Sequence, residues 1–525
     1  MSQANEKKES LALLLLKEIK VLINQEFAIF KIGVGNNFIL LSLINKVDKY
    51  YESKFSLTEL QFTRNEPINK IETAYFWLLS KIVFDQYNLS YNENKTEVIF
   101  ENIELKEKKL ILKLRTNDED KFVINNKDKL KLIEDFNNKY FCNINVFEKI
   151  IKLKNRKINN QGFKDFCSFN LQLNLLNLDY NKITDLTPIK NNDNFKCLYK
   201  LSLIQNNLSD IKPLIHSSLN NLIELNLSQN KINDISALEG IKLDKIKKLY
   251  LNNNNISDIK SFEKINFENL LILNLSKNNI SKIGPLKNAA LGQLKELDLS
   301  NNNIIDISLF EKMELDSLEI LNLSFNEINE IFIQKKISFP KLRRLNMNNN
   351  NIKEIKIDGR VQLGKLHKIE MMQNEIESII INKVQKLNKL QEINLTKNQI
   401  EDISFLESLE LKGLKKLFLG YNKIENIEIL GELDIKKILI LELNNNKIID
   451  IKALKYMPLE NLNILDLSFN CIEEINPLEI LKIPQIRRLE INDNLINKKL
   501  QKNIDILNNM KKRHQNNPFF MYLNF

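Results

Sequence analysis

A fixed order of hydrophobic and polar positions recurs along most of the chain. It is clearest in LYLNNNNISDI from Leu249, and it returns as LNLSKNNISKI from Leu273, LDLSNNNIIDI from Leu297 and LDLSFNCIEEI from Leu465. Apolar and polar residues alternate up to the asparagine, which is the pattern of a short strand, and further apolar positions follow it. The pattern predicts a repeated unit that buries its apolar side chains against its neighbours.

One asparagine marks each repeat. The interval from Asn206 to Asn230 recurs unchanged as far as Asn494, and only the interval before it, from Asn181, is one position longer. An amide side chain both donates and accepts hydrogen bonds, so each can bond backbone groups of its own turn and of the adjoining turn. Removing one should leave buried polar groups unpaired, at roughly 1–3 kcal/mol each. These ladder asparagines are Asn181, Asn206, Asn230, Asn254, Asn278, Asn302, Asn326, Asn350, Asn374, Asn398, Asn422, Asn446, Asn470 and Asn494.

The frame L-x-x-L-x-L-x-x-N-x-I, read over residues 173–496, resembles the leucine-rich repeat family. The resemblance implies an α/β fold: a solenoid of about 14 repeats, curved like a horseshoe, with a parallel sheet on its concave face. The N-x-I-x-D-I motif is similar to that of the intracellular class that includes the type-1 phosphatase regulatory subunit, and to that of bacterial internalins. Both run on units of about 22 residues, which is shorter than the unit found here. Taken together, the repeats resemble those of large intracellular leucine-rich-repeat proteins of protists.

Both flanks of the array predict capping segments. Residues 141–172 hold a degenerate first repeat, FEKIIKLKNRKI from Phe147, with Arg156 in the asparagine position. Terminal repeats are expected to be atypical because they cover an open end of the core. Residues 497–525 predict a closing helix from Lys498 and an apolar tail, NNPFFMYLNF, which either folds back or docks onto a partner.

The segment 1–140 predicts a small α/β domain ahead of the array. The predicted helices cover residues 11–22, 37–51, 68–84 and 127–140, and the predicted strands begin at Phe27 or cover 57–62, 96–103 and 110–115. The last two strands read as a hairpin.

Within this domain, the segment KIGVGNNFILLSLINKVDKYYESKFSLTELQF from Lys31 resembles the middle of an Alba-type nucleic-acid-binding domain. A strand would end in a turn at Gly33 and Gly35, a helix would follow, and a strand would return beside the first. The resemblance implies association with RNA or DNA. The segment lacks the basic-glycine-proline loop of that family. Residues 1–140 also carry 22 basic against 21 acidic side chains, a poor balance for neutralising phosphate.

The net charge of +10 does not by itself indicate a nucleic-acid or membrane partner. Part of the excess lies in one predicted terminal helix, which reads as a solvated basic face. Its charged residues are Lys498, Lys499, Lys502, Lys511, Lys512 and Arg513, against Asp505. The apolar run LALLLL near the N-terminus is too short to span a bilayer. We therefore expect a cytoplasmic protein, with a nuclear location as the alternative, and a monomer without a membrane span.

Neither catalysis nor metal binding is supported by the residue pattern. The cysteines Cys142, Cys167, Cys197 and Cys471 form no C-x-x-C pair, and the histidines are His216, His367 and His514. Clustered zinc ligands cannot be assembled from such spacing. No nucleophile has a base beside it in a recognisable setting. The sequence predicts a non-enzymatic protein without cofactor or metal.

Two positions in each predicted strand point to the concave face. The one between the core leucines, here the floor column, holds five acids and no base. It runs Asn177, Ser202, Asn226, Tyr250, Asn274, Asp298, Asn322, Asn346, Glu370, Asn394, Phe418, Glu442, Asp466 and Glu490. The position two residues earlier, here the flanking column, is mixed. It includes Lys200, Lys248, Arg344, Lys368, Lys416 and Arg488, against Glu224, Glu296 and Glu392.

A nucleic-acid groove would need a continuous basic floor with aromatic stacking platforms, whereas this floor would repel phosphate. The sequence therefore predicts a scaffold that binds a protein partner on its concave face, with aromatic side chains near arginine as anchors. A phosphatase-regulating subunit and a nucleic-acid-associated protein remain alternatives. The predicted contact residues are Lys248, Tyr250, Arg344, Glu370, Lys416, Phe418, Tyr421, Glu442, Asp466, Phe469, Arg488 and Glu490.

Overall fold

The chain falls into two compact units, Met1–Leu132 and Ile133–Phe525. The computed structural model describes residues 17–23, 26–35, 38–44, 50–56, 87–91, 97–102, 109–113, 131–144, 149–169, 171–335, 337–359, 361–497 and 500–514. The domain limits drawn from the sequence at residues 140, 172 and 496 stay predictions.

The described part of the first unit consists of strands in two antiparallel sheets. In chain order β1–β7 are Lys17–Ile23, Glu26–Gly35, Phe38–Ile44, Tyr50–Ser56, Tyr87–Tyr91, Glu97–Asn102 and Lys109–Lys113. Neighbours in sequence pair within β1–β4 and within β5–β7. The predicted hairpin is confirmed, since β6 pairs antiparallel with β7, and the strand predicted from Phe27 corresponds to β2.

Two predicted helices of this unit are wrong. Residues 17–22 of the first lie in β1, KEIKVLI, which pairs antiparallel with β2. The second overlaps β3 and β4, and β3 pairs with β2 so that Gly35 faces Phe38. A short apolar run such as FILLSLI carries no period, so only its pairing decides between helix and strand. A strand follows Gly35 here, not the helix that the Alba-type resemblance requires. The predicted elements at 57–62 and 68–84 lie outside the described residues.

One parallel sheet of 15 strands runs through the second unit. In chain order β8–β29 are Ile150–Lys152, Leu175–Asn177, Lys200–Ser202, Glu224–Asn226, Lys248–Tyr250, Ile272–Asn274, Glu296–Asp298, Ile320–Asn322, Glu330–Ile333, Ile337–Ser338, Arg344–Asn346, Glu354–Ile357, Val361–Gln362, Lys368–Glu370, Ser378–Ile381, Gln385–Lys386, Glu392–Asn394, Leu409–Glu410, Lys416–Phe418, Ile440–Glu442, Ile464–Asp466 and Arg488–Glu490. The sheet comprises β8–β15, β18, β21, β24 and β26–β29. It has one strand more than the 14 marked asparagines because β8, from the degenerate first repeat, pairs with β9.

Each ladder asparagine joins two neighbouring repeats. The Nδ2 of Asn278 donates to the carbonyl oxygens of Leu251 and Leu275, both at 3.0 Å, and its Oδ1 accepts from the backbone N–H of Ile256 at 3.0 Å. The same hydrogen bond to the preceding repeat is present at both ends of the array. Asn181 donates to the carbonyl oxygen of Leu153, and the last ladder asparagine donates to that of Leu467. The ladder therefore pairs backbone groups where each strand ends.

The residue before each ladder asparagine has a positive φ of 49° to 60°. This left-handed column runs Tyr180, Gln205, Gln229, Asn253, Lys277, Asn301, Phe325, Asn349, Gln373, Lys397, Tyr421, Asn445, Phe469 and Asp493. The left-handed region costs an ordinary side chain on the order of 1 kcal/mol, and asparagine tolerates it best. Bulky aromatic residues in this column are therefore retained at some cost in stability.

Helices cap both ends of the array. The α-helices are α1 (131–140), α2 (Asn160–Cys167), α3 (Asn476–Glu479) and α4 (Gln501–His514). At the first end, the ring of Phe136 in α1 packs edge-on against Phe169, with centroids 5.2 Å apart. At the other end, Ile506 and Met510 of α4 are each only 2% exposed. The helix predicted at 127–140 and the closing helix predicted from Lys498 are confirmed within the described residues.

The convex side is built from two kinds of element. Most repeats use short 3-10 helices, at Thr187–Ile189, Asp193–Phe195, Lys212–His216, Ser236–Gly240, Lys260–Lys264, Gly284–Asn288, Ser308–Lys312, Ser404–Ser408, Glu428–Gly431 and Lys452–Lys455. Three successive repeats use β16, β19 and β22, which form a second parallel sheet.

A single sequence position separates the two kinds of convex element. In the helical repeats and α3 it is a buried apolar residue, and these residues form the convex column: Ile189, Leu214, Leu238, Phe262, Leu286, Phe310, Leu406, Leu430, Leu454 and Leu478. In the three strand repeats the same position holds Gln334, Asp358 and Asn382. A polar side chain cannot fill the core without losing its hydrogen bonds to water. The backbone instead forms strands, with Asp358 N–H donating to the carbonyl oxygen of Ile333 at 2.9 Å.

A cavity of about 610 Å³ lies where those three apolar residues are missing. Its lining comes from the central strands of the large sheet, such as Leu345 and Ile369, and from the convex strands, such as Ile333 and Ile381.

Candidate partner-binding surface

The open face of the 15-stranded sheet presents the floor and flanking columns side by side. In β12, Lys248 and Tyr250 are half-buried while Leu249 between them is fully buried. The parallel register sets Tyr250 opposite Asn274 and continues in the same way along the sheet. Adjacent strands lie about 4.8 Å apart, so charges in one column act directly on their neighbours.

The middle of the face is a chain of ion pairs. Glu370 binds Arg344 and Lys368, both at 3.0 Å, and Lys368 also reaches Glu392 at 2.9 Å. Glu392 in turn pairs with Lys416 at 3.3 Å. The cations of these pairs are partly exposed, whereas the side chains of Glu370 and Glu392 are only 12% and 18% exposed. The main effect of the pairs is to neutralise the predicted contacts Arg344, Glu370 and Lys416 within the chain.

Near the N-terminal end of the face, Tyr250 borders a depression of about 240 Å³. Ile272 and Ile320 of the flanking column line it, and Ile320 is 37% exposed. Burial raises the pKa of the Tyr250 hydroxyl above its ordinary value, and the charges of Glu224 and Glu296 add to the shift. The phenol therefore stays neutral and can serve as both donor and acceptor.

At the C-terminal end, Glu442, Asp466 and Glu490 occupy the floor of three adjacent strands and form the acidic patch. The register sets Glu442 opposite Asp466 and Asp466 opposite Glu490. Arg488 binds Glu490 at 2.8 Å and Asp466 at 3.5 Å. Within the described part of the chain, Glu442 forms no ion pair shorter than 4.0 Å, and the cation that acts on it from further away is Arg488. One cation therefore serves three carboxylates.

Burial and mutual repulsion act on the titration of this patch. Burial raises the pKa of Glu442 above its ordinary 4.5, and the nearby charge of Asp466 raises it further. Burial likewise raises the pKa of Asp466 above 3.8, although hydrogen bonds from Ser468 partly oppose the shift. Ionising either group therefore costs more in the folded state than in the unfolded chain.

This cost predicts a pH-dependent stability. A carboxyl whose pKa is raised by folding holds its proton longer in the folded state, so stability falls as pH rises from about 4 towards neutrality. We expect Glu442→Gln with Asp466→Asn to be more stable than the wild type at pH 7, and the difference to vanish below about pH 4. Urea unfolding across this pH range measures it. A wild-type advantage at pH 7 would contradict the assignment.

Aromatic side chains stand beside the acidic patch. Phe418 lies next to Glu442 in the register and is half-buried. Tyr421 and Phe469 belong to the left-handed column, and they are 49% and 50% exposed. Lys397 Nζ lies 5.7 Å from the ring centroid of Tyr421. Residues kept both exposed and in a costly backbone conformation are candidates for function.

The structure thus divides the predicted contact residues into three groups. Lys248 and Tyr250 lie near the N-terminal depression, Arg344, Glu370 and Lys416 belong to the ion-pair chain, and the others surround the acidic patch. Four flanking-column isoleucines were not predicted: Ile272, Ile320, Ile440 and Ile464. The sequence signal for them is an apolar side chain in a column that elsewhere holds lysine, arginine or glutamate.

Three further properties concern the described residues only. No group of three or more His, Cys, Asp or Glu side chains is arranged to hold a metal ion. No described helix has the length and apolar character needed to cross a bilayer. All four cysteines are free thiols, and burial raises the pKa of Cys167 far above its ordinary value.

Comparison with family models identifies the repeats. A model of the leucine-rich repeat matches residues 196–256, 244–304 and 268–328, and a model of paired leucine-rich repeats matches residues 388–432. No curated protein matches the chain.

Several solved structures are similar to parts of this chain. An internalin from Listeria monocytogenes is 24% identical, covering 62% of this chain and 88% of that chain, with a TM-score of 0.45. A leucine-rich-repeat protein of Leptospira interrogans is 22% identical over 75% of this chain and 98% of its own, with a TM-score of 0.48. The ectodomain of the receptor kinase GASSHO1/SCHENGEN3 from Arabidopsis thaliana is 19% identical, covering 63% and 45%, with a TM-score of 0.42.

The second unit is therefore a solenoid in which one strand per repeat builds a continuous sheet and the residues facing outward differ between repeats. Its repeats belong to the leucine-rich repeat family. Members of this family generally mediate protein–protein interactions and are typically non-catalytic.

Proposed function

We propose that this protein is a non-catalytic scaffold that binds a protein partner on the open face of its sheet, at the acidic patch. The observation that carries the proposal is the half-buried Glu442 carboxylate, which forms no ion pair within the described residues. A charge held in a partly desolvated site is costly unless a counter-charge reaches it. A lysine or arginine of a partner would supply that charge.

The surroundings of Glu442 define the chemistry of the partner. Ile440 and Ile464 of the flanking column are half-exposed, and Phe418 adds apolar surface on the neighbouring strand. Tyr421 and Phe469 extend this surface beyond the strand ends. Aromatic anchors next to charged groups are typical of binding hot spots. The complementary surface is a protein segment that carries basic side chains between apolar ones.

The same charges disfavour a nucleic-acid partner at this site. Glu442, Asp466 and Glu490 follow one another on three strands, and phosphate would be repelled along this column. Charge complementarity with a basic protein also steers association, so the rate of binding should fall as salt screens the patch.

Affinity purification with matched variants tests the proposal. We expect a partner retained by the wild type to be lost with Glu442→Gln/Asp466→Asn. The control is Asp298→Asn, because Asp298 binds its own serine, Ser300, as Asp466 binds Ser468, but it lies outside the patch. Bound proteins would be compared by quantitative mass spectrometry and by salt elution. An unchanged partner set with the patch variant, or equal losses with the control, would refute the placement.

The aromatic residues allow a second test that separates binding from folding. Tyr421→Asn and Phe469→Asn relieve an unfavourable backbone conformation, so each should raise the free energy of unfolding by about 1 kcal/mol. Together they should weaken partner binding at least tenfold, since they remove two exposed anchors. Phe325→Asn is the control, because Phe325 is equally left-handed and 52% exposed but lies outside the patch. Undiminished binding would remove the aromatic residues from the site.

A further inference from the structure

The cavity inside the solenoid is separate from the partner-binding surface. It has a volume of about 610 Å³, within the usual range of small-molecule sites. We propose that it binds a hydrocarbon chain whose head group is uncharged or cationic. Ile333, Ile357 and Ile381 of the convex strands face Leu345 and Ile369 of the large sheet across it. Cavities with aliphatic walls exclude water and accept apolar molecules.

The cavity is accessible from outside. Its lining includes Ile305, which is 47% exposed, and Phe332, which is 41% exposed. These residues lie where the last 3-10 helix of the first series, Ser308–Lys312, gives way to β16. A helical repeat and a strand repeat do not stack as like neighbours do, so we place the opening at this junction.

The rim of the cavity selects the head group. The charged residues that line it are Asp306, Glu311 and Glu330, and no described lysine, arginine or histidine does so. Glu311 is fixed in place, because its Oε1 accepts from the backbone N–H groups of Gln334 at 2.6 Å and Lys335 at 3.1 Å. Carboxylates at the entrance repel an anionic head group and attract a cationic one. A fatty-acid anion is therefore disfavoured.

The cavity follows from the sequence of the chain and not from an irregularity of packing. In the flanking repeats Phe310 and Leu406 fill the convex column, whereas the three intervening repeats hold Gln334, Asp358 and Asn382. Because these three repeats follow one another, the apolar side chains of the convex column are missing from one continuous part of the core. Two of these side chains also bind each other at the surface, with Asn382 donating to Asp358. This bond keeps both of them out of the core.

Three probes with the same chain test the head-group preference on the full-length protein: 1-dodecanol, dodecylammonium and dodecanoate. Calorimetric titration below the solubility limit of dodecanol and below the critical micelle concentrations of the two ionic probes should show saturable 1:1 binding of dodecanol and dodecylammonium, at least tenfold tighter than that of dodecanoate. The heat capacity change should be negative, because apolar surface is buried. Absence of saturable dodecanol binding would overturn the proposal, and dodecanoate binding as tightly would overturn its head-group selectivity.

Matched variants locate the site. Ile357→Trp/Ile381→Trp adds volume inside the cavity and should weaken dodecanol binding at least tenfold. Ile380→Trp places the same side chain on the exposed face of β22, outside the cavity lining, and should leave binding unchanged. Equal binding by both variants would overturn the location. In case the first variant fails to fold, hydrogen exchange of the wild type gives a separate readout. Bound dodecanol should protect the amides of β16, β19 and β22, and no protection would likewise overturn it.

Discussion

Replacing one ladder asparagine, Asn278→Ala, is expected to lower the free energy of unfolding by roughly 2–5 kcal/mol. The buried N–H of Ile256 loses its acceptor, and water cannot replace the amide there. The carbonyls of Leu251 and Leu275 each lose one of two donors, since Asn254 and Asn302 still bind them. Because two neighbouring repeats share these bonds, the loss weakens an interface and not one repeat alone. Urea unfolding followed by circular dichroism measures the change.

The next residue provides the control for that experiment. Asn279→Ala makes the same chemical change at an exposed position, and should alter the free energy by less than about 0.5 kcal/mol. Similar losses for the two variants would show that the ladder does not carry the stability assigned to it. Hydrogen exchange adds a spatial test, because the Ile256 amide should lose protection with Asn278→Ala only.

The second large effect concerns the convex column. Leu454→Asn should destabilise the protein by about 3–5 kcal/mol, because a fully buried leucine is lost and an amide without partners replaces it. The reverse change in a strand repeat, Asn382→Leu, puts an apolar side chain beside the cavity. It should cause no loss and could add up to about 2 kcal/mol by burying leucine there.

The two variants exchange leucine and asparagine in opposite directions at the same position of the repeat. A difference between them therefore reflects the surroundings of that position and not the residue types. Thermal unfolding of both variants against the wild type is sufficient to compare them. A loss with Asn382→Leu as large as that with Leu454→Asn would mean that the strand repeats are packed around their polar residues and that the cavity has no room for leucine. In that case the column would not explain the change from helix to strand.

Much of the array could be predicted from the chain alone. The constant period of the ladder asparagines fixes which side chains lie on the strand, and strand alternation then places Leu249 inside with Lys248 and Tyr250 outside. Even the strand repeats had a signal, since Gln334, Asp358 and Asn382 fall at the position of Phe262 in the period.

Other features could not be obtained in this way. The segments of β1 and β3 are short apolar stretches whose local preference suits either helix or strand, and pairing with β2 decides. On the open face, sequence spacing did not show that Lys368 lies within 3.0 Å of both Glu370 and Glu392, because side-chain conformations choose among several neighbours. The predicted contacts in the ion-pair chain therefore looked available when only their columns were known.

The sequence by itself determined the repeat, the ladder and the two columns of the open face, because each depends on a residue's place within a unit that recurs. Only the tertiary structure decided which charges neutralise one another, which carboxylates of the open face lack a counter-ion among the described residues, and where an internal cavity lies. These properties depend on distances between side chains of different repeats. Such distances are set by the stacking of whole repeats, and a one-dimensional period does not contain them.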